Sequence, residues 1–565
     1  MRTAFSRLYF ALACLLVLCG PALAAGERAL TSRRGVVAAD HRLASAAGAE
    51  MLARGGNAVD AACAAAFALS VVNPAGSGVG GGGFMLVKPA GAAPAQVLDF
   101  REVAPRAASR EMYLKPGLPK NASRYGGLAV GVPGEVAGCA YAVKRWGKLS
   151  LARVLAPAIR YAARGFKVEH HLAAGVAWKQ RQITRYPDLA RILMPGGKPP
   201  QVGQRMRRPR LARALRAIAR GGARVFYRGW IARDIVAAVK KAGGILTMQD
   251  LAGYKVRTRA PLHVRYRGRS VWTMPPPSSG GVAIVMALNM LRRRALEKLG
   301  HNSSRYLHLL TEVLKHAFAD RARYLGDTDF VKVPIARLTS QAYADKLLAR
   351  VGKKTLPINR YGSLDKKRAS PRDGGTSHIA VIDKGGMAVS VTSTINTGFG
   401  SLVATKRSGI ILNNEMDDFS AQPGKPNVFG LMQSEKNTVR PNKRPLSSMS
   451  PTIVTKGNQV ELVVGASGGP TIITGTLQAL LNVIDFGLEL GEAVARSRIH
   501  HQWLPNKLWV EDDLPADVRQ ALKRRGHVLR AVKHPFTAVQ VAGQTRPGVV
   551  AGASDPRKGG APAAP

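Results

Sequence analysis

Thr376 follows Gly374 and Gly375 and opens the run Thr376-Ser377-His378-Ile379. A threonine hydroxyl is a weak nucleophile until a base accepts its proton, and a chain cut just before the residue supplies that base as the residue's own α-amine. Such an amine titrates at about 8 in model peptides, so much of it is unprotonated at mildly alkaline pH. The flexible glycine pair lets the Thr376 hydroxyl turn back onto the Gly375 carbonyl, giving an ester that water opens. The pattern fits self-cleavage between Gly375 and Thr376, with nucleophile and base carried by one residue, and fits an ordinary interdomain linker equally well. A second hydroxyl competes for the role. Gly465-Ala-Ser467-Gly-Gly469 fits Gly-x-Ser-x-Gly, follows the strand-like residues 460–464 and precedes an apolar helical run. Asp512 or Asp513 and then His527 follow in the order of a serine esterase triad.

The other residues with obvious chemistry lie in long motifs. They are Asp99-Phe-Arg-Glu-Val-Ala-Pro105, Met274-Pro-Pro-Pro-Ser-Ser-Gly-Gly281, Asn413-Asn-Glu-Met-Asp-Asp-Phe-Ser420, Arg444-Pro-Leu-Ser-Ser-Met-Ser-Pro-Thr452 and the glycine-rich run ending at Gly469. Together with the run from Thr376, and in this order, they resemble the large and small subunits of γ-glutamyltranspeptidases over about residues 30–557. That family is one of the N-terminal-nucleophile hydrolases. The resemblance implies an α+β fold, a four-layer αββα sandwich built jointly by two fragments, 25–375 and 376–565. It casts Thr376 as nucleophile, Thr394 as the hydroxyl that orients it, and Gly468 and Gly469 as backbone donors to a tetrahedral oxyanion, which their missing side chains let approach closely. Arg101 would grip the substrate α-carboxylate with its planar fork, helped by the Ser447 and Ser448 hydroxyls. Asn396, Glu415 and Asp418 would hold the α-ammonium. The implied activity is transfer or hydrolysis of γ-glutamyl amides such as glutathione, passing the acyl group to amino acids, peptides or water, without cofactor or metal. Some relatives are acylases for glutaryl or β-lactam side chains, or cleave capsule polymers. The acids Glu415 and Asp418 argue against an amine-free substrate. Residues 423–430 resemble a lid over the pocket, where Phe429 replaces the tyrosine of many bacterial members and removes a hydroxyl latch onto Asn396. The balance between transfer and hydrolysis stays open on this ground.

Several elements must position these groups. Ile379, Val381 and the alternating residues 388–394 read as two strands joined by a turn at 383–386. Residues 351–375 are poor in large apolar side chains and read as a mobile connector ending at the cleavage point. Residues 58–72 form an alanine-rich buried helix. Gly78-x-Gly80-x-x-Gly83 nominally matches a dinucleotide fingerprint but leads into a strand, which discounts a phosphate site. Ser278 and Ser279, between prolines and glycines, read as turn chemistry.

The chain of 565 residues carries a formal charge of +50. Its basic residues are spread throughout and no nucleic-acid motif accompanies them, so weak attraction to anionic surfaces is expected in place of specific nucleic-acid binding. One basic amphipathic helix is readable over 210–220, ending at Gly221-Gly222. Residues 1–24 carry Arg2 and Arg7, an apolar stretch and Ala22-Leu23-Ala24, the pattern of a removable secretory signal, which implies a periplasmic or secreted protein. Cys63 and Cys139 lie in apolar runs and read as buried thiols. The neighbouring His500 and His501 lack metal-ligand spacing.

Overall fold

The computed structural model describes residues 29–362, 374–421, 425–532 and 537–565. The expected signal sequence, residues 363–373 of the connector and residues 423 and 424 of the lid lie outside them. Two antiparallel sheets face one another. One has six strands, in the order Gly35–Ala39, Gly374–Asp383, Ala388–Thr397, Gly82–Lys88, Gln96–Phe100 and Arg257–Arg259. The other has seven, in the order Leu30–Ser32, Val549–Ser554, Ala538–Arg546, Gln459–Ser467, Thr452–Lys456, Arg269–Thr273 and Leu262–Tyr266. The Gly374–Asp383 and Ala388–Thr397 strands pack across the interface onto Gln459–Ser467. Helices Arg42–Ala53 and Ala58–Val72 cover the outer face of the six-stranded sheet, and Gly280–Leu291 and Thr471–Ile484 that of the other. The order of layers is thus helix, sheet, sheet, helix, as expected.

Burial on both faces explains the composition of the central strands. Every residue of Ala388–Thr397 is buried, and the Ala58–Val72 helix is buried all round, so its alanines let it sit flat on the sheet. Asn57 caps that helix, accepting from the backbone N–H of Val59 and Asp60 while Asp60 answers the N–H of Asn57. The predicted hairpin is present, with Gly386 at φ +85° in its turn. The discounted glycine run does enter a strand, at Gly82.

One expectation needs correction. The connector is packed as far as residue 362: the Tyr361 hydroxyl donates to Glu312, and the Gly352 carbonyl meets the His308 ring. Its few large apolar residues, Val351, Leu356, Ile358 and Tyr361, pack on the core, and side chains of the Ser304–Tyr324 helix meet Gly352, Thr355 and Tyr361. The basic helix begins at Pro209 and ends at the glycine pair as expected: Gly222, at φ 63° and ψ −166°, is non-helical and separates it from a short second helix that runs on to Tyr227.

Candidate active site

Strand alternation sorts the residues around the nucleophile. Thr376 and His378 face the second sheet, whereas the Ser377 hydroxyl turns the other way to Asn73 Nδ2 (3.2 Å) and Ser77 Oγ (3.1 Å). The His378 ring fills the place a side chain at Gly465 would take, a Cβ there falling 2.1 Å from it. Burial drives its pKa down to about 3, so it is neutral, and its nitrogens meet Thr392 and Ser390. It is a packing residue and stands apart from the chemistry.

Thr376 pairs across the hairpin with Thr394, their hydroxyl oxygens 3.1 Å apart. The strand runs without interruption through the Gly375–Thr376 bond, and Thr394 Oγ1 also donates to the Gly375 carbonyl at 3.1 Å. The same oxygen accepts the backbone N–H of Asn396 at 2.8 Å. Thr394 therefore touches both the Thr376 hydroxyl and the carbonyl of the residue before it. A side chain at Gly375 would lie 2.3 Å from the Ala75 carbonyl oxygen, so glycine is required there by space as well as flexibility. Asn396 adopts φ 76°, an unusual conformation for a residue other than glycine, and its amide donates to the Asn414 carbonyl. Gly468 (φ 131°) and Gly469 (φ 63°) form the turn between the Gln459–Ser467 strand and the Thr471–Ile484 helix, where backbone N–H groups gather at a helix start. The Phe429 ring lies over Gly469, 2.9 Å from where a Cβ would be. The lid is held by Gln502, which donates to the Phe429 carbonyl, and by the acidic turn: Asn427 Nδ2 meets Asp418 Oδ1 and the Val428 N–H meets Asp417.

Thr376, Thr394, Asn396, Gly469, Arg101, Glu415, Asp418, Ser447 and Ser448 line one small cavity of about 20 Å³, with Phe429 as part of its wall. The sequence motifs are thus brought together from six separate segments. One feature differs from the expected division of labour. Arg101, fully buried, already pairs with both acids assigned to the ammonium, through Nη1 to Glu415 and through Nη2 to Asp418 Oδ2 at 2.6 Å. Burial pushes the Glu415 and Asp418 carboxyls up while Arg101 pulls them down, the net direction being upward. Beside them Glu102 is raised by burial to about 7. The cavity wall itself holds two carboxyls, Glu415 and Asp418, and two guanidiniums, Arg101 and Arg321.

Two further residues carry no signal in motif or spacing. Lys558 Nζ bridges the Thr376 carbonyl (2.5 Å), Asp40 Oδ2 (2.8 Å) and Ser467 Oγ (2.9 Å). Arg321, also in the cavity wall, donates from Nε to Ser279 Oγ (2.9 Å), while its buried Nη1 finds no hydrogen-bond partner. Ser279 in turn donates to the Ser447 carbonyl, so the turn serines brace the loop that carries Ser447 and Ser448.

The esterase triad is not assembled: Ser467 meets Lys558, Asp513 accepts from Ser497, and the His527 ring pairs with His308 at 2.8 Å. His500 and His501 are held by Thr474, Gln502 and Asn506. Among the described residues, His308, Glu312 and His527 bring potential ligand atoms within 4.8 Å of one another, but the Lys315 ammonium sits on Glu312 at 2.9 Å. A fixed cation there opposes a metal ion.

Residues 44–564 match the family model described as gamma-glutamyltranspeptidase. The chain belongs to the γ-glutamyltranspeptidase family. It is 42% identical over 534 residues to the glutathione hydrolase proenzyme of Escherichia coli (strain K12), covering 93% of this chain and 91% of the relative. It is 43% identical over 528 residues to the glutathione hydrolase proenzyme of Pseudomonas aeruginosa, covering 90% and 91%. Among solved structures, a cephalosporin acylase from Bacillus halodurans superposes with a TM-score of 0.84 at 32% identity, over 95% of this chain and 97% of that one. The γ-glutamyltranspeptidase of Helicobacter pylori superposes with a TM-score of 0.56 at 37% identity, over 57% and 93%. The chain's layered arrangement thus superposes on the cephalosporin acylase over nearly its whole length.

Proposed function

We propose that this family member is an exported proenzyme that cuts itself before Thr376 and then acts as a γ-glutamyltransferase and glutathione hydrolase. The observation that carries the proposal is the Thr394 hydroxyl placed between Thr376 Oγ1 and the Gly375 carbonyl. In maturation, Thr376 Oγ1 attacks the Gly375 carbonyl carbon, the C–N bond breaks as the amide nitrogen gains a proton, and water hydrolyses the ester. The two fragments stay paired, since the Gly374–Asp383 strand hydrogen-bonds to Gly35–Ala39 of the large one.

In turnover the freed α-amine takes the Thr376 proton while the hydroxyl attacks the γ-carbonyl of a γ-glutamyl amide. The Gly468 and Gly469 N–H groups receive the oxyanion, and the same ammonium protonates the leaving amine. The second half replaces that amine with water or an acceptor amine. Arg101, Ser447 and Ser448 bind the α-carboxylate, and Asn396, Glu415 and Asp418 the α-ammonium. For the substrate to enter, its two charges must exchange with the Arg101–Glu415–Asp418 pairs, each new contact replacing one of like kind. No helix of the described residues is long and apolar enough to cross a membrane.

The cephalosporin acylase likeness favours a second reading, a glutaryl-type acylase. Comparing a γ-glutamyl anilide with its deaminated glutaryl analogue decides between them. The acids Glu415 and Asp418 predict preference for the γ-glutamyl compound; preference for the glutaryl one would replace the proposed function by the second.

A further inference from the structure

The helical layer over residues 151–249 carries 21 lysines and arginines and only three acids, Glu169, Asp188 and Asp234. The three acids screen few of these cations. Glu169 pairs with Arg42 and His41, Asp188 with Arg191 and Lys241, and the buried Asp234 accepts the backbone N–H groups of Arg407 and Ser408. The Pro209–Tyr227 helix is the clearest case. Leu211, Leu215 and Ile218 are buried, and buried Arg208 pins the helix start to carbonyls of Ser70 and Gly409. The opposite side presents Arg210, Arg213, Arg216 and Arg220, all exposed, at the three- and four-residue steps that keep them on one stripe. The same layer exposes two large apolar side chains, Trp178 at 74% and Val202 at 61%. Trp178 is flanked by Lys179, whose ammonium lies 5.8 Å from its ring, and by exposed Arg181 and Arg185.

We propose that this face docks the protein on an anionic phospholipid bilayer, with the arginine stripe on headgroup phosphates and Trp178 at the polar–apolar boundary. Charge complementarity supplies the attraction, because basic side chains near an anionic bilayer each add to binding within a Debye length. The exposed indole favours a bilayer over other polyanions, because tryptophan is favoured where an apolar ring meets the headgroup layer. The helix does not insert, since its apolar side is already spent on the protein core. Binding should therefore be peripheral and released by salt.

The test is sedimentation of the full processed protein with vesicles of phosphatidylglycerol and phosphatidylcholine, or of phosphatidylcholine alone, at low and high salt. The expected result is binding to the mixed vesicles only, lost at high salt, with R210Q/R216Q/R220Q lowering the partition constant by at least about 30-fold. A control of equal charge elsewhere, R292Q/R293Q/R294Q, should lower it by less than about threefold, given screening beyond a Debye length. Trp178→Ala should abolish the blue shift of tryptophan emission on binding, and hydrolysis of a γ-glutamyl anilide should stay unchanged in every variant. Equal losses from the two arginine triples, equal binding to neutral vesicles, or tighter binding to duplex DNA than to the mixed vesicles at the same salt would each overturn the proposal.

Discussion

The two halves of the cavity are built on different physics. On the hydroxyl side of Thr376 the groups are neutral, and the Lys558–Asp40 ion pair stands on its carbonyl: Thr394, the glycine turn and the buried His378 are set by strand register and by space that only glycine leaves free. Around Arg101 everything is charged, with Glu102, Glu415 and Asp418 crowded on one guanidinium and a second arginine, Arg321, closing the wall. The first half needs geometry because it must align a bond to be broken. The second needs balance of charge, because its carboxyls and guanidinium are stable in burial only as long as they neutralise one another, before and after substrate replaces some of the partners. The account therefore assigns catalysis and maturation to the neutral half and recognition to the charged half.

Breaking the neutral half should have the largest effect. Thr376→Ala is expected to remove both self-cleavage and turnover, a loss of at least about 10⁴ in kcat by analogy with other nucleophile deletions. Thr376→Ser should keep some of each; gel electrophoresis and anilide hydrolysis report the two. Substitution in the charged half should act mainly through KM. Arg101→Gln removes a charge-assisted contact and leaves two buried acids without a cation, so KM should rise by about 100-fold while processing persists. An unchanged KM would remove Arg101 from carboxylate binding.

Arg321 sharpens the division because it touches recognition through other residues. Its Nε holds Ser279, which holds the Ser447 loop, and burial lowers its pKa to about 10, its charge supported by Asp418. Arg321→Gln should raise KM by about tenfold with a smaller change in kcat, and Arg321→Lys should restore part of the loss, since it returns the charge without the fork. Equal falls in kcat and kcat/KM would instead place Arg321 with the transition state.

The smallest effect concerns stability. Glu135, whose Oε2 accepts from Ser393 on the nucleophile's partner strand, is raised by burial to about 8, against 4.5 for an ordinary glutamate. Between those values the folded chain holds a proton that the unfolded chain has lost. Its contribution is therefore complete below about 4.5 and disappears as pH rises through about 8. Glu135→Gln should flatten that part of the fall in melting temperature across this window; an unchanged slope would show that the group titrates normally.

Much of the neutral half was readable in the sequence. Gly-Gly before a threonine that opens a strand, a hairpin turn, and a glycine pair after another strand are local features, and hairpin register carries Thr394 opposite Thr376. Less of the charged half was readable. The motif resemblance named Arg101, Glu415 and Asp418 but not their mutual pairing, which depends on segments more than 300 residues apart. Lys558 reaches the Thr376 carbonyl across 182 positions, and Arg321 lies in the middle of a helix whose pattern shows only burial. The connector was misread because polar composition predicts no core of its own, while residues 352–361 borrow partners from a neighbouring helix.

The most direct test of the account is intact-mass analysis of active, purified protein. It should contain two fragments, the smaller spanning residues 376–565 with Thr376 as its free N-terminus. A single uncut polypeptide that turns over γ-glutamyl anilide at full rate would contradict it.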